Sequence, residues 1–300
     1  MLNARIEAFV GTDQGPGQEC LLLLLPPRLL GGFFTLLILL ALGGCASSEP
    51  VVPYPAFIQT AELPDIFMAG MPGIRAKRLA GDPETRRSSN LMVLPADWEF
   101  TTGGLPDKSI ELYVIRGNVQ LGDLSLGPGG YAWLPSGTTG IPLATTDGAQ
   151  LLYFLDDADP DAVIQTPLVL NEELVPWQYT RDIAGFGIAE KVLREDPGSG
   201  ARTWLRRIEP GATLPWQTSS TREEGMLLSG DYWHSECVGG VPVTNEYLPG
   251  GYYYRPSGAV HGGSESRAVT PSIWYIRTTS QASTSPAVCG GAEAASNASP

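Results

Sequence analysis

The sequence predicts an all-β protein built from two tandem units, each a sandwich or a barrel, a class that includes the double-sheet jelly roll. Its 300 residues include 36 Gly and 26 Pro without a collagen-like period, a composition that favours many turns. Short segments rich in aromatic and β-branched residues lie between these turns, for example residues 110–117, 149–155 and 202–211, and such segments are typical of strands. The third observation is an internal repeat, which divides the chain into two similar units.

The composition also limits the function. The formal net charge is −13, which argues against nucleic-acid binding because that depends on clustered Lys and Arg. Hydrophobic residues make up 43% of the chain, enough for a sizeable core. The two histidines are His234 and His261, so a metal site with three histidines cannot form within one chain.

The N-terminal segment is predicted to be a signal peptide of the lipoprotein type, covering residues 1–44. Arg28 precedes an apolar run at residues 29–44 that is too short for a comfortable membrane span. The run ends in Leu42-Gly43-Gly44-Cys45, which resembles the lipobox of bacterial lipoproteins. That resemblance implies cleavage before Cys45 and attachment of lipid to this cysteine, and a tether is expected over residues 45–56.

The charges of residues 1–20 do not suit a signal peptide, because three acidic residues outnumber Arg5. We expect the true start to lie within the Leu21–Leu25 run. An acidic mature chain is not attracted to an anionic bilayer, so the lipid itself would hold it to the membrane. The expected location is the cell envelope, facing the periplasm or the cell surface. Ala46-Ser47 lacks the aspartate that retains similar lipoproteins at the inner membrane, which favours the outer one.

The internal repeat is carried by turn and strand residues at nearly constant spacing. Gly73-Ile74 and Lys77 recur 114 residues later as Gly187-Ile188 and Lys191. Further pairs, at slightly different offsets that loop insertions explain, are Glu111 and Glu224, Gly117 and Gly230, Gly129-Gly130-Tyr131 and Gly250-Gly251-Tyr252, Pro135 and Pro256, Gly137 and Gly258, and Leu152–Leu155 and Ile273–Ile276. We therefore predict two domains, at residues 57–162 and 163–279, and a disordered low-complexity tail at 280–300.

These residues resemble the two motifs of the cupin superfamily. The first motif is Gly, five residues, His-x-His, three or four residues, Glu and, about six residues later, Gly; the chain has Gly211, Gln217-Thr218-Ser219, Glu224 and Gly230. The second motif is Gly, five residues, Pro-x-Gly, two residues and His; the chain has Gly250, Pro256-Ser257-Gly258 and His261. Together with the repeat, the chain looks like an uncharacterised bacterial family of two-cupin proteins, or bicupins. That resemblance implies two jelly-roll (double-stranded β-helix) barrels.

In cupins, both histidines and the glutamate of the first motif, together with the histidine of the second, bind one metal ion inside the barrel. In the second unit, Gln217 and Ser219 stand at the two histidine positions, and Glu224 and His261 are retained. In the first unit only Glu111 remains. The resemblance therefore implies a decayed first site, a degenerate first cupin domain and a reduced second site.

Several interpretations of the second site stay open. Gln217, Glu224 and His261 could bind one divalent metal ion weakly, since an amide is a poor donor for transition metals. Alternatively no cofactor binds, and the same three residues with Ser219 bind a small polar or carbohydrate-like ligand. A third interpretation is a buried hydrogen bond between Glu224 and His261 that only stabilises the barrel. His234 is either a replacement metal ligand or a histidine at the edge of the core.

Cys237 and Cys289 are the cysteines that remain besides Cys20 and Cys45. In the oxidising compartment that a signal peptide implies, they could form a disulfide and pin the tail to the second domain. They could equally remain two free thiols, because sequence alone does not establish a pairing.

The function that follows is a lipid-anchored envelope bicupin that binds a small molecule or has a structural role, without catalysis. The alternative is a cupin enzyme, dioxygenase-like or isomerase-like, that uses the reduced metal site of the second barrel. A sensor module is a third hypothesis. The expected partners are a membrane, through the lipid, and a small ligand; nucleic acid is not expected.

Overall fold

The computed structural model describes residues 57–68, 70–180 and 187–290. The predicted signal peptide, Cys45 and the tether through residue 56 lie outside these ranges, so lipidation of Cys45 stays a prediction. Strands dominate the described residues, as the turn-rich sequence predicted. None of the helices in these ranges is long and apolar enough to cross a membrane.

The strands are short and mostly joined by turns. In the first half of the described chain they are β1 (Ile58–Gln59), β2 (Ile66–Phe67), β3 (Arg75–Gly81), β4 (Ser88–Leu94), β5 (Trp98–Thr102), β6 (Lys108–Gly117), β7 (Val119–Leu121), β8 (Leu124–Leu126), β9 (Gly130–Leu134), β10 (Ile141–Thr145) and β11 (Ala149–Asp157). In the second half they are β12 (Leu168–Asn171), β13 (Gln178–Tyr179), β14 (Ile188–Glu195), β15 (Arg202–Ile208), β16 (Thr213–Ser219), β17 (Glu223–Ser229), β18 (Tyr232–Val238), β19 (Val241–Tyr247), β20 (Gly251–Arg255), β21 (Val260–Ala268), β22 (Ser272–Thr278) and β23 (Thr284–Pro286). Two short 3-10 helices, Thr60–Glu62 and Glu172–Leu174, follow β1 and β12.

The first barrel consists of two sheets that enclose an apolar core. A seven-stranded sheet has the order β12-β9-β6-β11-β4-β3-β2, and a four-stranded sheet has the order β5-β10-β7-β8. Residues from both sheets, including Met92, Leu112, Val119 and Leu143, are buried against one another. This is the double-sheet arrangement that the sequence predicts.

The second barrel repeats this arrangement. A seven-stranded sheet with the order β1-β20-β17-β22-β15-β14-β13 packs against a five-stranded sheet with the order β19-β18-β21-β16-β23. Its core is built on aromatic residues, among them Trp204, Tyr232, Tyr253 and Trp274. The prediction of an all-β chain with two tandem jelly-roll barrels is confirmed.

The two seven-stranded sheets pack on each other through their outer faces. Leu91 and Phe154 of the first unit and Leu205 and Tyr275 of the second belong to one buried cluster. The rings of Phe154 and Tyr275 are stacked, with centroids 5.7 Å apart. Because both faces of these sheets are covered, residues in the middle of their strands face either a barrel interior or the contact between the barrels.

The two units exchange their first strands. β1 pairs with β20 of the second barrel, and β12 pairs with β9 of the first. Just beyond them, Thr60 N donates to Gly250 O at 3.2 Å and Glu172 N donates to Gly129 O at 3.0 Å. Gly250 and Gly129 have φ of +89° and +80°, and a Cβ on them would lie 2.9 Å from Thr60 Oγ1 and 2.6 Å from Glu172 Cγ. The repeated glycines are therefore required where the exchanged segments cross.

The structure corrects the alignment of the last repeated strand. Leu152 of β11 pairs with Leu91, whereas Tyr275 of β22 pairs with Leu205, the repeat of Leu91. Leu152 therefore corresponds to Tyr275 and not to Ile273. The β-bulges in the two pairings are at equivalent residues, Ile115 and Leu228, so both units share the same local register. The correction is a shift of two residues, which leaves the inward and outward alternation unchanged.

Residues 280–290 are ordered, so the expectation of disorder from residue 280 is wrong for them. β23 pairs antiparallel with β16, with Thr284 opposite Ser219 and Pro286 opposite Gln217. The low-complexity sequence hides this strand because backbone pairing, rather than apolar side chains, holds it in place. β23 thereby covers an edge of the five-stranded sheet that would otherwise expose unpaired backbone groups.

Cys237 and Cys289 form a disulfide, so of the two alternatives that the sequence left open the structure contains the bond. The bond spans 52 residues and attaches the end of the described tail to β18. It supports the oxidising location that the predicted signal peptide implies.

Replacing both cysteines with serine is expected to lower the free energy of unfolding by roughly 4 kcal/mol, since the unfolded chain gains the entropy of the opened loop. Urea unfolding of the two proteins measures the difference. Ser285→Ala, which changes the tail and keeps the bond, is the matched control and should stay within about 0.5 kcal/mol of the unchanged protein. Equal urea midpoints for the serine variant and the unchanged protein would contradict the stabilising role of the bond.

Candidate functional site

The interior of the first barrel is filled by apolar side chains. Trp98, Leu112 and Leu143 belong to its core, and the hydroxyl of Thr102 lies 3.2 Å from that of Tyr153. Glu111, which the cupin motif retains in this unit, points to the opposite face of its sheet. The first barrel is therefore a packing unit rather than a site.

The interior of the second barrel contains a group of ionisable residues joined by one guanidinium, which we call the Arg255 cluster: the buried His234, Glu236 and Arg255 and the partly buried Glu223. Arg255 Nη1 donates to Glu223 Oε1 at 2.8 Å, and Nη2 donates to Glu236 Oε1 at 2.8 Å. Nη2 also lies 2.8 Å from His234 Nε2, and the guanidinium lies 4.2 Å from the centroid of the Tyr253 ring. One guanidinium thus joins two carboxylates, an imidazole and an aromatic ring.

The alternation of side chains along β17 and β20 creates this cluster. In β20, Tyr253 and Arg255 point into the barrel, whereas Tyr252 and Tyr254 point into the contact between the barrels. In β17, Glu223 lies directly opposite Arg255 in the ladder. The two opposite charges therefore meet inside the barrel.

Gln217 and His261 lie beside the cluster as direct partners in the pairing of β16 with β21. Gln217 Nε2 lies 3.2 Å from His261 Nε2, and His261 Nδ1 donates to Ala259 O at 3.2 Å. With the ring proton on Nδ1, the lone pair of Nε2 accepts the amide hydrogen of Gln217. The rings of His261 and His234 have centroids 6.0 Å apart. The structure thus brings together two of the four predicted site residues.

Glu224 does not join them. Its Oε2 accepts from the Tyr252 hydroxyl at 2.6 Å and its Oε1 from Arg277 Nη1 at 3.2 Å, in the contact between the barrels. The expectation that Glu224 and His261 face each other is therefore wrong, and so is a metal site built from Glu224, His261 and Gln217. The family motif allows three or four residues before its glutamate, and the shorter spacing selects Glu223, which points inward.

Ser219 is buried at the end of β16, and its polar atoms serve a turn. Its Oγ accepts from Thr221 N at 3.4 Å, and its backbone O accepts from Gly258 N at 2.8 Å. The Pro-x-Gly turn of the second motif is thereby attached to β16. Ser219 positions backbone at the rim of the barrel rather than a hydroxyl beside His261.

Glu111 and Glu224 occupy equivalent positions in the contact between the barrels. Glu111 Oε1 accepts from the hydroxyls of Tyr131 at 3.0 Å and Tyr275 at 2.8 Å. Arg277 Nη2 lies 3.3 Å from Glu111 Oε2, so this arginine links both glutamates. Glu111 and Arg277 therefore join the two units directly, and Glu224 holds Arg277 from within the second unit.

Burial and neighbouring charges fix the ionisation of the Arg255 cluster. Burial lowers the pKa of Arg255, but Glu236, Tyr253 and Glu223 outweigh it and hold that pKa well above its ordinary value. Burial raises the pKa of Glu236, but Arg255 and His234 outweigh it and hold that pKa below its ordinary value. Burial, with Arg255 and His234, lowers the pKa of His261 well below its ordinary value. Near neutral pH, Arg255 is a cation, Glu236 an anion and His261 neutral.

The metal ion that the cupin resemblance implies does not fit this interior. The guanidinium of Arg255 already engages Glu223 and Glu236, and the Nε2 lone pair of His261 accepts from Gln217. Within the three described ranges, no group of three His, Cys, Asp or Glu side chains has the arrangement of a metal site. The donor set therefore suits a guanidinium rather than a divalent ion.

Little space remains inside the second barrel. A cavity of about 20 Å³ lies between Gln217, His234, Tyr253, Arg255 and His261, which is room for about one water molecule. A carbohydrate-like ligand is too large for it. A site for such a small molecule has to lie outside the barrel interior.

Sequence reasoning missed Glu223, Glu236 and Arg255 as members of this site, and considered His234 as a metal ligand or a histidine at the edge of the core. The shorter motif spacing and the opposite charges at Glu223 and Arg255 were usable signals for that pair. Glu236 and His234 are two residues apart on β18 and share a face, which was the signal for the other pair. What the sequence did not contain is the register that sets β17 against β20.

Comparison with known proteins places the fold. The family described as a domain of unknown function (DUF4437) matches residues 68–284. A candidate dioxygenase from Nostoc punctiforme is 21% identical with a TM-score of 0.60, over 75% of this chain and 82% of that chain. Protein Ylba of E. coli is 16% identical with a TM-score of 0.58, over 74% and 90%. The oxalate decarboxylase of Bacillus subtilis, described with Mn(II) centres, is 14% identical with a TM-score of 0.54, over 77% and 79%.

At these identities the likeness shows the fold alone. The curated proteins contained no match to the chain.

Stability is expected to fall as the pH decreases below about 6.5. Burial is the first cause that lowers the pKa of both His234 and His261, so the unfolded chain takes up protons there that the folded chain does not. The loss is at most about 1.4 kcal/mol per pH unit for each histidine. Urea unfolding between about pH 7.5 and about pH 5.5 measures it.

His261→Gln removes one of the two histidines that take up a proton on unfolding, so the free energy of unfolding should depend less steeply on pH. Glu236 provides a separate window, because its lowered pKa contributes stability that is lost only as the pH falls below about 4.5. An unchanged slope in His261→Gln would show that His261 is not buried as a neutral ring.

Proposed function

Since the chain belongs to the family described as a domain of unknown function (DUF4437), we propose its function from its own site. It is a non-catalytic bicupin that binds a small molecule, attached to a cell envelope by lipid on Cys45. The observation that carries the proposal is the position of Arg255, whose guanidinium contacts Glu223, His234 and Glu236 in the polar interior of the second barrel.

A fixed positive charge at this point opposes a divalent cation. Arginine does not lose its proton in proteins, and Glu236 and Glu223 hold the pKa of Arg255 well above its ordinary value despite burial. The guanidinium donates to oxygens of both Glu223 and Glu236, so it occupies the carboxylate groups that a divalent ion would otherwise use as ligands. A metal ion could bind these carboxylates only by displacing the guanidinium, by which it is itself repelled.

The geometry also argues against acid–base catalysis inside the second barrel. His261 is neutral, but both of its ring nitrogens are engaged, by Gln217 and by Ala259 O. The adjoining cavity of about 20 Å³ leaves no space for a substrate within hydrogen-bond reach of the ring. Binding without catalysis therefore agrees better with the site than the dioxygenase-like or isomerase-like alternative.

Arg255→Ala is expected to convert the interior into a metal site, because it leaves Glu223, His234 and Glu236 around a vacated space. Without metal, the free energy of unfolding should fall by roughly 3–5 kcal/mol, since buried charges lose their partner. Mn²⁺ or Zn²⁺ should restore part of this loss, measured as a rise in the unfolding temperature, whereas neither ion should change the unfolding temperature of the unchanged protein.

Arg255→Lys is the matched control, because it keeps a cation at the same point and should gain no response to metal. The decisive contrary result comes from metal analysis of the unchanged protein as isolated. One equivalent of metal that His261→Ala removes would reject the proposal and support the cupin enzyme with a metal in the second barrel.

The proposed location rests on two features of the chain. The Leu42-Gly43-Gly44-Cys45 sequence resembles a lipobox, and the disulfide between Cys237 and Cys289 suits an oxidising compartment. The acidic character of the chain argues that lipid, rather than surface charge, would hold it to an anionic bilayer.

Cys45→Ser is expected to abolish incorporation of labelled fatty acid and retention in the membrane fraction, because the thiol is the site of attachment. Metabolic labelling followed by membrane fractionation measures both. Ser48→Ala, a change just after the lipobox cysteine, is the control and should leave both unchanged. Labelling that persists in Cys45→Ser would reject the lipoprotein assignment.

A further inference from the structure

The duplicated fold creates two equivalent grooves, one beside each exchanged first strand. Thr60 and Glu172 mark them, because their backbone N atoms donate to the equivalent Gly250 and Gly129. Met226 and Tyr113 are equivalent as well: they pair with Tyr252 and Tyr131, the tyrosines of the repeated Gly-Gly-Tyr. We call the groove beside Glu172 the filled groove and the groove beside Thr60 the open groove.

Large side chains occupy the filled groove. The Tyr113 hydroxyl donates to Glu172 Oε2 at 2.8 Å. The Trp177 ring has Lys191 Nζ 4.9 Å and the Arg207 guanidinium 5.0 Å from its centroid. These contacts close the groove with aromatic rings and paired charges.

Smaller residues stand at the same positions in the open groove. Thr60 replaces Glu172, Met226 replaces Tyr113, and Asp65, directly before β2, replaces Trp177, directly before β13. The result is a cavity of about 400 Å³ with Thr60, Asp65 and Met226 among its lining residues. That volume lies in the range of small-molecule sites, about 300–1,000 Å³.

The open groove also gains positive charge. Arg75 pairs with Phe67 in the ladder as Ala189 pairs with Tyr179, so an arginine stands where the filled groove has an alanine. At the other side of the cavity, Arg116 pairs with Gln150 and has Ser229 as its equivalent.

Arg75 and Arg116 line the cavity and are exposed. Within the part of the chain that the structure describes, neither makes a hydrogen bond or an ion pair. Lys77, the third cation of the groove, is engaged with Asp65 at 2.9 Å. Two guanidinium groups are therefore available to a ligand, in a chain whose formal net charge is −13.

We propose that the open groove is the small-molecule site of this protein and that it binds an organic anion with an apolar body. Arg75 and Arg116 bind the carboxylate or phosphate group, because a guanidinium presents paired donors to either one. Leu91, Ile115 and Leu228, which line the same cavity, contact the apolar part. The inference rests on the proposed binding function and assigns that function a place and a ligand class.

Isothermal titration of the whole chain, as isolated, with hexanoate, hexyl phosphate, inorganic phosphate and neutral hexanamide tests the proposal. One equivalent of hexanoate or hexyl phosphate should bind, and hexanamide should bind at least roughly tenfold more weakly because it lacks the charge. Tighter binding of hexyl phosphate than of hexanoate would assign the phosphate group, and the reverse order the carboxylate. Inorganic phosphate that binds as tightly as hexyl phosphate would overturn the role of the apolar wall.

Arg75→Gln and Arg116→Gln should each weaken binding by roughly tenfold, and both are exposed positions where the fold is insensitive to the change. Met226→Tyr with Thr60→Glu copies the filled groove and should abolish binding. Arg267→Gln is the matched control, because this exposed arginine pairs with Glu265 away from the cavity. Its affinity should equal that of the unchanged protein.

Binding that survives both glutamine variants, or that survives filling of the groove, would overturn the proposal. The result is independent of metal analysis. A metal-free protein that binds none of the four probes would reject the open groove and leave the non-catalytic assignment of the barrel standing. A metal-loaded protein that binds hexanoate in the groove would support the open groove and reject the non-catalytic assignment of the barrel.

Discussion

Neighbouring residues on a strand point to opposite faces, and this constraint divides the charges of the molecule at Glu223 and Glu224. Glu223 points into the second barrel and meets Arg255, whereas Glu224 points outward and meets Arg277. Because β17 lies in a sheet that is covered on both faces, Glu224 is buried and Glu223 partly buried, and each carboxylate is paired with its own cation. The polar barrel interior and the charged contact between the units are thus two consequences of one strand register.

Under the proposed function, a guanidinium in place of a metal ion would change what the barrel can do more than how it is held together. A metal ion retains exchangeable positions to which a substrate or water can bind, whereas the donors of Arg255 are directed at Glu223, Glu236 and His234. Buried ion networks of this kind are weak evidence for added stability, because desolvation offsets much of the attraction. The network instead fills the interior and fixes the protonation states of its side chains. It therefore offers no exchangeable position at which a ligand could bind.

The sequence was sufficient for the fold and insufficient for the site, for reasons visible at particular residues. Turn glycines and prolines recur in both units and cannot be replaced cheaply, so Gly129 and Gly250 revealed the duplication and the strands around them. Period-two alternation along β20 places Tyr253 on one face and Tyr252 and Tyr254 on the other, which agrees with the structure. The prediction of the motif glutamate was wrong because spacings of three and four residues select neighbouring residues, which point to opposite faces of the strand. Only the pairing of β17 with β20 shows which of the two points into the barrel. The ordered tail could not be predicted either, because backbone pairing and a disulfide hold it in place. Neither of these produces a recognisable pattern of side chains in the sequence.

The two grooves show how a duplicated chain can diverge without losing its fold. Both arose from the same exchange of first strands, and packing of one with Tyr113, Glu172 and Trp177 makes that side part of the core. A sealed apolar void of about 400 Å³ on the other side would cost about 10 kcal/mol at about 24 cal/mol per Å³, comparable to the whole stability of a domain. The open groove avoids that cost because water reaches it and because Arg75 and Arg116 are solvated there. The groove therefore persists without a side chain that fills it. The two arginines are absent from the equivalent positions of the filled groove, and they make the solvated space favourable for an anion, which packing alone does not require.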